Sequence, residues 1–143
     1  MSKSKLSFFV QSTGPDLYLT VRLDDKIIYN KSPEEDLEKI TWSFNDTDES
    51  EHLLCFEMSG KCAEHTKISE SGEILQDRLI KITDVAFDDI ILGQMFNELA
   101  EYHHDFNGYG DPTVGKFYGE MGCNGRVELK FTTPIYIWIL ENM

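Results

Sequence analysis

The densest run of groups able to hold an ion or a polar ligand is His103-His104-Asp105-Phe106-Asn107-Gly108-Tyr109-Gly110-Asp111. Asp105, Asn107 and Asp111 offer oxygens at short spacing, and the glycines permit a tight wrap, which suits calcium. The match to the twelve-residue calcium loop fails, because its last position, counted from Asp105, is Lys116 where a bidentate glutamate belongs. Asn-Gly and Gly-Asp are also ordinary turn dipeptides, so the expectation here is a structural turn and no metal site. His103 and His104 are adjacent, and on a strand they would point to opposite faces, which denies one ion both rings.

Nucleophilic chemistry has a weaker footing. Cys62, Glu64 and His65 lie close together, but a Cys–His pair needs contact and a third orienting group, and nothing else supports one. The chain has no G-x-S-x-G, no phosphate-cradling glycine loop and no H-E-x-x-H. Gly119, Gly122 and Gly125 cluster without a following helix start to hold a phosphate. Asp88 and Asp89, placed on a strand, would face opposite ways and could not share a proton. The sequence therefore predicts a non-enzymatic protein that needs no cofactor.

Binding is better served. The aromatic stock includes Trp42, Tyr102, Phe106, Tyr109, Phe117, Tyr118, Tyr136 and Trp138. Aromatic faces stack on sugar rings, although core packing is their default use. Tyr102, Phe106 and Tyr109 fall in a stretch rich in polar groups and stand out for that reason. A second candidate is the weakly patterned segment 59–78, too long for a simple hairpin connection. Its Lys61, Glu64, His65, Thr66 and Glu70 can donate and accept hydrogen bonds to hydroxyls.

The elements that must position these groups are mostly strands. Leu17, Leu19, Val21 and Leu23 alternate with Tyr18, Thr20 and Arg22, and Asp24-Asp25 turns the chain into Lys26–Tyr29. Leu6–Val10, Ile40–Phe44 and His52–Met58 read as further strands, the last with Leu54, Phe56 and Met58 on one face. Leu79–Asp84 and Val85–Leu92 read as one long strand bent near Asp84. Gly93–Glu101 fits a short helix with Met95, Phe96 and Leu99 on one face, and Tyr102–Gly125 a loop with a short strand near Lys116–Tyr118. Val127, Leu129 and Phe131 mark another strand. Pro134–Leu140 is open between a helix, which Thr133-Pro134 would start, and a strand, which Ile135-Tyr136-Ile137 favours. About eight short strands with at most two helices predict a mainly β protein, an antiparallel β-sandwich of jelly-roll type forming a single domain over residues 1–143. The expected core is Leu19, Val21, Phe56, Ile80, Ile82, Val127 and Leu129.

Composition narrows the partners. The 143 residues carry a formal net charge of -13, which repels phosphate backbones, and no basic patch offsets it, so no nucleic-acid partner is expected. Ten acidic residues lie between Asp24 and Glu51 against Lys26, Lys31 and Lys39, which reads as a solvated face. No run approaches the roughly 20 apolar residues of a membrane span, and Leu6–Val10 is too short for a signal peptide. Cys55, Cys62 and Cys123 are odd in number and lack paired spacing, so thiols in a reducing compartment are expected rather than an intramolecular disulfide.

Residues Leu17–Lys26, His52–Glu57 and Asp77-Arg78-Leu79 with Ile82, Asp84-Val85 and Phe87-Asp88 resemble, in that order, strands of the small calcium-dependent, xylan-type carbohydrate-binding modules. The first matches their opening strand and turn, the second the strand entering their ligand loop, the third the exit strand. The chain has Met58-Ser59 where those modules carry Asn-Asp, and it lacks the Asn that follows Asp-Arg. The resemblance implies a sandwich, a glycan ligand and an optional calcium, and it carries Asp77 over to the site. The ligand-binding set expected is then Lys61, His65, Thr66, Asp77, Tyr102 and Tyr109. The whole chain, and especially Phe131–Asn142, is similar to small proteins of marine tailed phages, particularly those infecting cyanobacteria. That likeness implies a phage origin, a place in the virion or the host cytoplasm, and another virion protein as the alternative partner.

Overall fold

The computed structural model describes residues 3–46, 49–61, 66–68, 70–72 and 74–143, with the side chains of 66–68 and 74–77 outside that description. Two antiparallel sheets face each other. One has the order β12 (Glu120–Met121), β8 (Ile80–Phe87), β1 (Lys3–Ser12), β4 (Glu38–Asn45), with β9 (Ile90–Ile91) also paired to β8. The other runs β11 (Thr113–Lys116), β10 (Glu101–His104), β13 (Gly125–Thr132), β5 (Glu51–Ser59), β2 (Tyr18–Leu23), β3 (Lys26–Lys31). A separate hairpin pairs β6 (Thr66–Ile68) with β7 (Ile74–Asp77). Among the described residues no helix is long and apolar enough to cross a membrane.

Period-two alternation builds this architecture because every inward residue of one sheet needs an apolar partner on the other. Leu19, Val21, Phe56, Ile80, Ile82, Val127 and Leu129, the expected core, are all buried. The sheets lock through aromatic edges. Phe8 of β1 meets Phe56 of β5 at 5.1 Å and 84°, and Phe87 of β8 meets Phe131 of β13 at 4.9 Å. Each short helix caps one end of this seam. Phe96 of α1 (Gln94–Leu99) stacks edge-on to Phe56 and Phe117, and Trp138 of α2 (Ile135–Asn142) does so to Phe87 and Phe131. Edge-to-face pairs add about 0.5–1.5 kcal/mol each beyond area burial.

Several elements differ from the sequence reading. The strand count is thirteen among the described residues, because pairings as short as two residues carry no alternation to read. Segment 59–78 contains the β6–β7 hairpin rather than a structureless loop. The chain does not run on from Val85 to Leu92 as strand. Asp88 and Asp89, both at positive φ, form a two-residue turn that folds β9 back on β8. Asp88 accepts the Lys5 N–H at 2.7 Å and Asp89 pairs with the Lys5 ammonium at 3.0 Å, so neither carboxylate belongs to a strand face. The strand expected near Lys116–Tyr118 lies earlier, at Thr113–Lys116, and Leu99 is exposed rather than part of the buried face of α1. The open question at the C-terminus resolves as a helix after a cis Thr133-Pro134 bond, with Ile135, Trp138 and Ile139 buried.

Phe56 touches the opposite sheet and α1 at once. Phe56→Ala is expected to cost about 3–5 kcal/mol in urea unfolding, against near-neutral effects for truncating the exposed Tyr18.

Candidate functional site

The inward alternation of β8 changes phase once. Ile80 and Ile82 point inward, and the next inward residues are Val85 and Phe87, not Asp84. A β-bulge absorbs the change: Asp84 and Val85 together oppose the single Phe8 between the Ser7–Ala86 and Phe9–Thr83 pairs. Without it, Asp84 would enter the core and Phe87 would leave it. Asp84 takes the left-handed conformation, φ 51, which a short polar side chain tolerates better than most. Its carboxylate is thereby turned out to the wall of a cleft of about 700 Å3.

Three elements complete that cleft. Gln94, Asn97 and Glu98 sit at helical spacing i, i+3 and i+4 on α1, so they share a face, and the Gln94 amide donates to Glu98 at 3.2 Å. Gly93, at φ 56 and ψ -126, makes the sharp entry to α1 that side-chain-bearing residues rarely adopt. Lys116 at the end of β11 and Tyr118 beyond it form the opposite wall, held by an Ile82 N–H to Gly119 carbonyl bond of 2.9 Å. Phe96 lies at the buried end of the lining. Tyr118 is 74% exposed, an unpacked aromatic face beside two carboxylates, two amides and an ammonium. That combination can stack on a ring and exchange hydrogen bonds with hydroxyls.

Lys61, Tyr102 and Tyr109, expected from sequence, do not line this cleft. Lys61 is 7% exposed, its ammonium donates to the Arg78 carbonyl, and its backbone bonds both ways with the Asn124 side chain. It anchors the start of the 59–78 segment instead of facing a ligand. Tyr102 is not in a loop but on β10, 8% exposed, its hydroxyl accepting the Cys123 N–H at 2.9 Å and donating to the Cys123 carbonyl. Burial drives its phenol pKa upward. Tyr109 is 81% exposed and does stand on a turn. His65 and the Asp77 and Thr66 side chains lie outside the described residues; the Thr66 and Asp77 backbones pair with each other in the β6–β7 hairpin.

The two stretches singled out from sequence meet through Asn124, whose N–H donates to the Asn107 side chain at 2.7 Å while its amide holds Lys61. Asp105 caps the same turn by accepting the Gly108 N–H at 2.9 Å. One Asp105 oxygen and the Asn107 oxygen thus each accept a backbone donor. His103 faces Glu128 at 3.6 Å, and His104 packs between Tyr102 and Phe106, on the two faces of β10.

Comparison with family models finds no match, and comparison with curated proteins finds none. Solved structures do match. One is the selenomethionine form of vCBM60, described with a circular permutation that links two families of calcium-dependent carbohydrate-binding modules. It aligns at a TM-score of 0.53 and 8% identity over 88% of this chain and 89% of its own. The chain shares a carbohydrate-binding module's β-sandwich fold. A second vCBM60 structure, in complex with galactobiose, aligns at 0.50 and 9% identity over 87% of this chain and 96% of its own. At these identities the likeness to vCBM60 concerns the fold alone.

No signal in the sequence marked the cleft beyond the phase break at Asp84. Asp84→Gly is expected to keep the bulge and leave stability unchanged or slightly raised, whereas Asp84→Val costs about 1–3 kcal/mol in urea unfolding.

Proposed function

We propose that this chain is a glycan-binding module that makes and breaks no bond at its cleft. Tyr118 stacks on one sugar ring while Asp84, Asn97, Glu98 and Lys116 exchange hydrogen bonds with its hydroxyls. The observation that carries the reading is the bulge that holds Asp84 outward beside an exposed, unpacked Tyr118. The sandwich fold shared with vCBM60, one form of which holds galactobiose, supports it.

Calcium does not enter this reading. Among the described residues no three His, Cys, Asp or Glu side chains converge, and one Asp105 oxygen and the Asn107 oxygen already accept backbone N–H groups. Binding is expected to survive chelation with EDTA.

The outer face of α2 favours a second reading, a structural part that docks on another protein such as a virion subunit. Tyr136, Ile137 and Leu140 are exposed there on a helix that is apolar nearly all round. Charged substitutions at Ile137 and Leu140 leave glycan binding intact on the first reading.

Calorimetry against a panel of neutral oligosaccharides that includes galactobiose tests the cleft. Tyr118→Ala is expected to weaken binding about tenfold or more, roughly 1.4 kcal/mol, with an unchanged melting temperature. A Tyr118→Ala, Asp84→Gly double variant that binds like the parent would remove the cleft from consideration.

A further inference from the structure

Away from the cleft, Asp24, Ser50 and His52 come together in an order their separate places in the sequence conceal. His52 is the second residue of β5, beside the β2–β3 turn, its ring stacked on Phe131 at 5.3 Å and 25° and only 17% exposed. Its Nδ1 lies 2.8 Å from Asp24 Oδ2, and its Nε2 lies 3.0 Å from Ser50 Oγ. The other Asp24 oxygen accepts the Leu53 N–H at 2.9 Å, and the Asp24 N–H donates to the Leu53 carbonyl at 2.8 Å. Asp24 is therefore held on both sides and favours the tautomer with the proton on Nδ1, which leaves the Nε2 lone pair facing the serine hydroxyl. Thr133 Oγ1 is farther from the same nitrogen, at 3.4 Å. Asp24 and His52, though not Ser50, line a cavity of about 420 Å3 whose walls include Leu23, Trp42 and Phe44 as well as the polar Lys26 and Asn45.

We propose that Ser50, His52 and Asp24 act as nucleophile, base and positioning residue in the hydrolysis of small carboxylic esters, independently of the glycan cleft. Recognition of such a set rests on geometry and roles, not on sequence order. Ser50 Oγ attacks the ester carbonyl as its proton passes to His52 Nε2. The ester C–O bond breaks, and the leaving alcohol takes that proton, leaving an acyl-Ser50. Water then attacks the acyl carbon and gives its proton to His52. The carboxylic acid departs as Ser50 Oγ takes the proton back, so only water is consumed.

The test uses the full chain, with 4-nitrophenyl acetate as substrate and a fluorophosphonate as a label located by mass spectrometry. The expected result is label on Ser50 and a hydrolysis rate above buffer. His52→Gln lowers that rate about 100-fold or more, and Ser50→Ala returns it to the buffer level. Asp24→Asn lowers kcat with KM unchanged, a split that a purely structural role for Asp24 would not produce. Glycan binding by the Ser50→Ala chain is measured alongside, so loss of glycan binding and loss of esterase activity are read separately. Labelling of the parent at Ser50 stands even where a variant fails to fold. Label elsewhere or nowhere, or a folded Ser50→Ala chain as active as the parent, overturns the proposal.

Discussion

The phase break in β8 governs both the interior and the surface of this protein. Strand alternation has a period of two, so a single residue of mismatch would invert everything downstream of it. The mismatch sits at Asp84, where Ile80 and Ile82 give way to Val85 and Phe87 as the inward set. Absorbing it in one bulge opposite Phe8 keeps Phe87 against Phe131 and Trp138, and so keeps α2 seated on the sandwich. The same bulge projects Asp84 beside Gln94, Asn97 and Tyr118. Backbone strain at that residue is offset by core contacts many times larger in sum, which is the usual arrangement where a strained residue persists.

The aromatic seam then explains why so short a chain tolerates two small helices. α1 has six residues and no side-chain cap, and α2 has eight, both below the length at which a helix is stable alone. Phe96 and Trp138 supply what propensity does not, by packing edge-on to rings from both sheets or their connections. In α1 that anchorage also fixes the angle at which Gln94, Asn97 and Glu98 face Tyr118. The position of the cleft thus follows from the core.

The long strands were legible in sequence because one face of each is wet and the other dry: Leu19 and Val21, Leu54 and Phe56, Val127 and Leu129 could be assigned by alternation alone. The Asp24-Asp25 turn was legible too, since Leu23 and Lys26 do pair across it. Tyr102 was misplaced because a glycine-rich stretch begins a few residues after it and its strand is four residues long, too short to show a period. Lys61 read as a ligand group because composition cannot show that a backbone carbonyl will claim its ammonium. The cleft and the Asp24–His52 contact escaped for a common reason. Each joins residues distant in sequence, 28 apart in the case of Asp24 and His52, and only tertiary pairing brings them together, that of β2 with β5 in their case.

Backbone-amide shift mapping during titration with a neutral disaccharide tests most directly whether the bulge builds a binding site. The expected result is perturbation concentrated at Asp84, Gln94, Asn97 and Tyr118, with the core strands β5 and β13 unmoved. Shifts gathered instead on the β6–β7 hairpin or around Tyr109, with those four amides still, would contradict it.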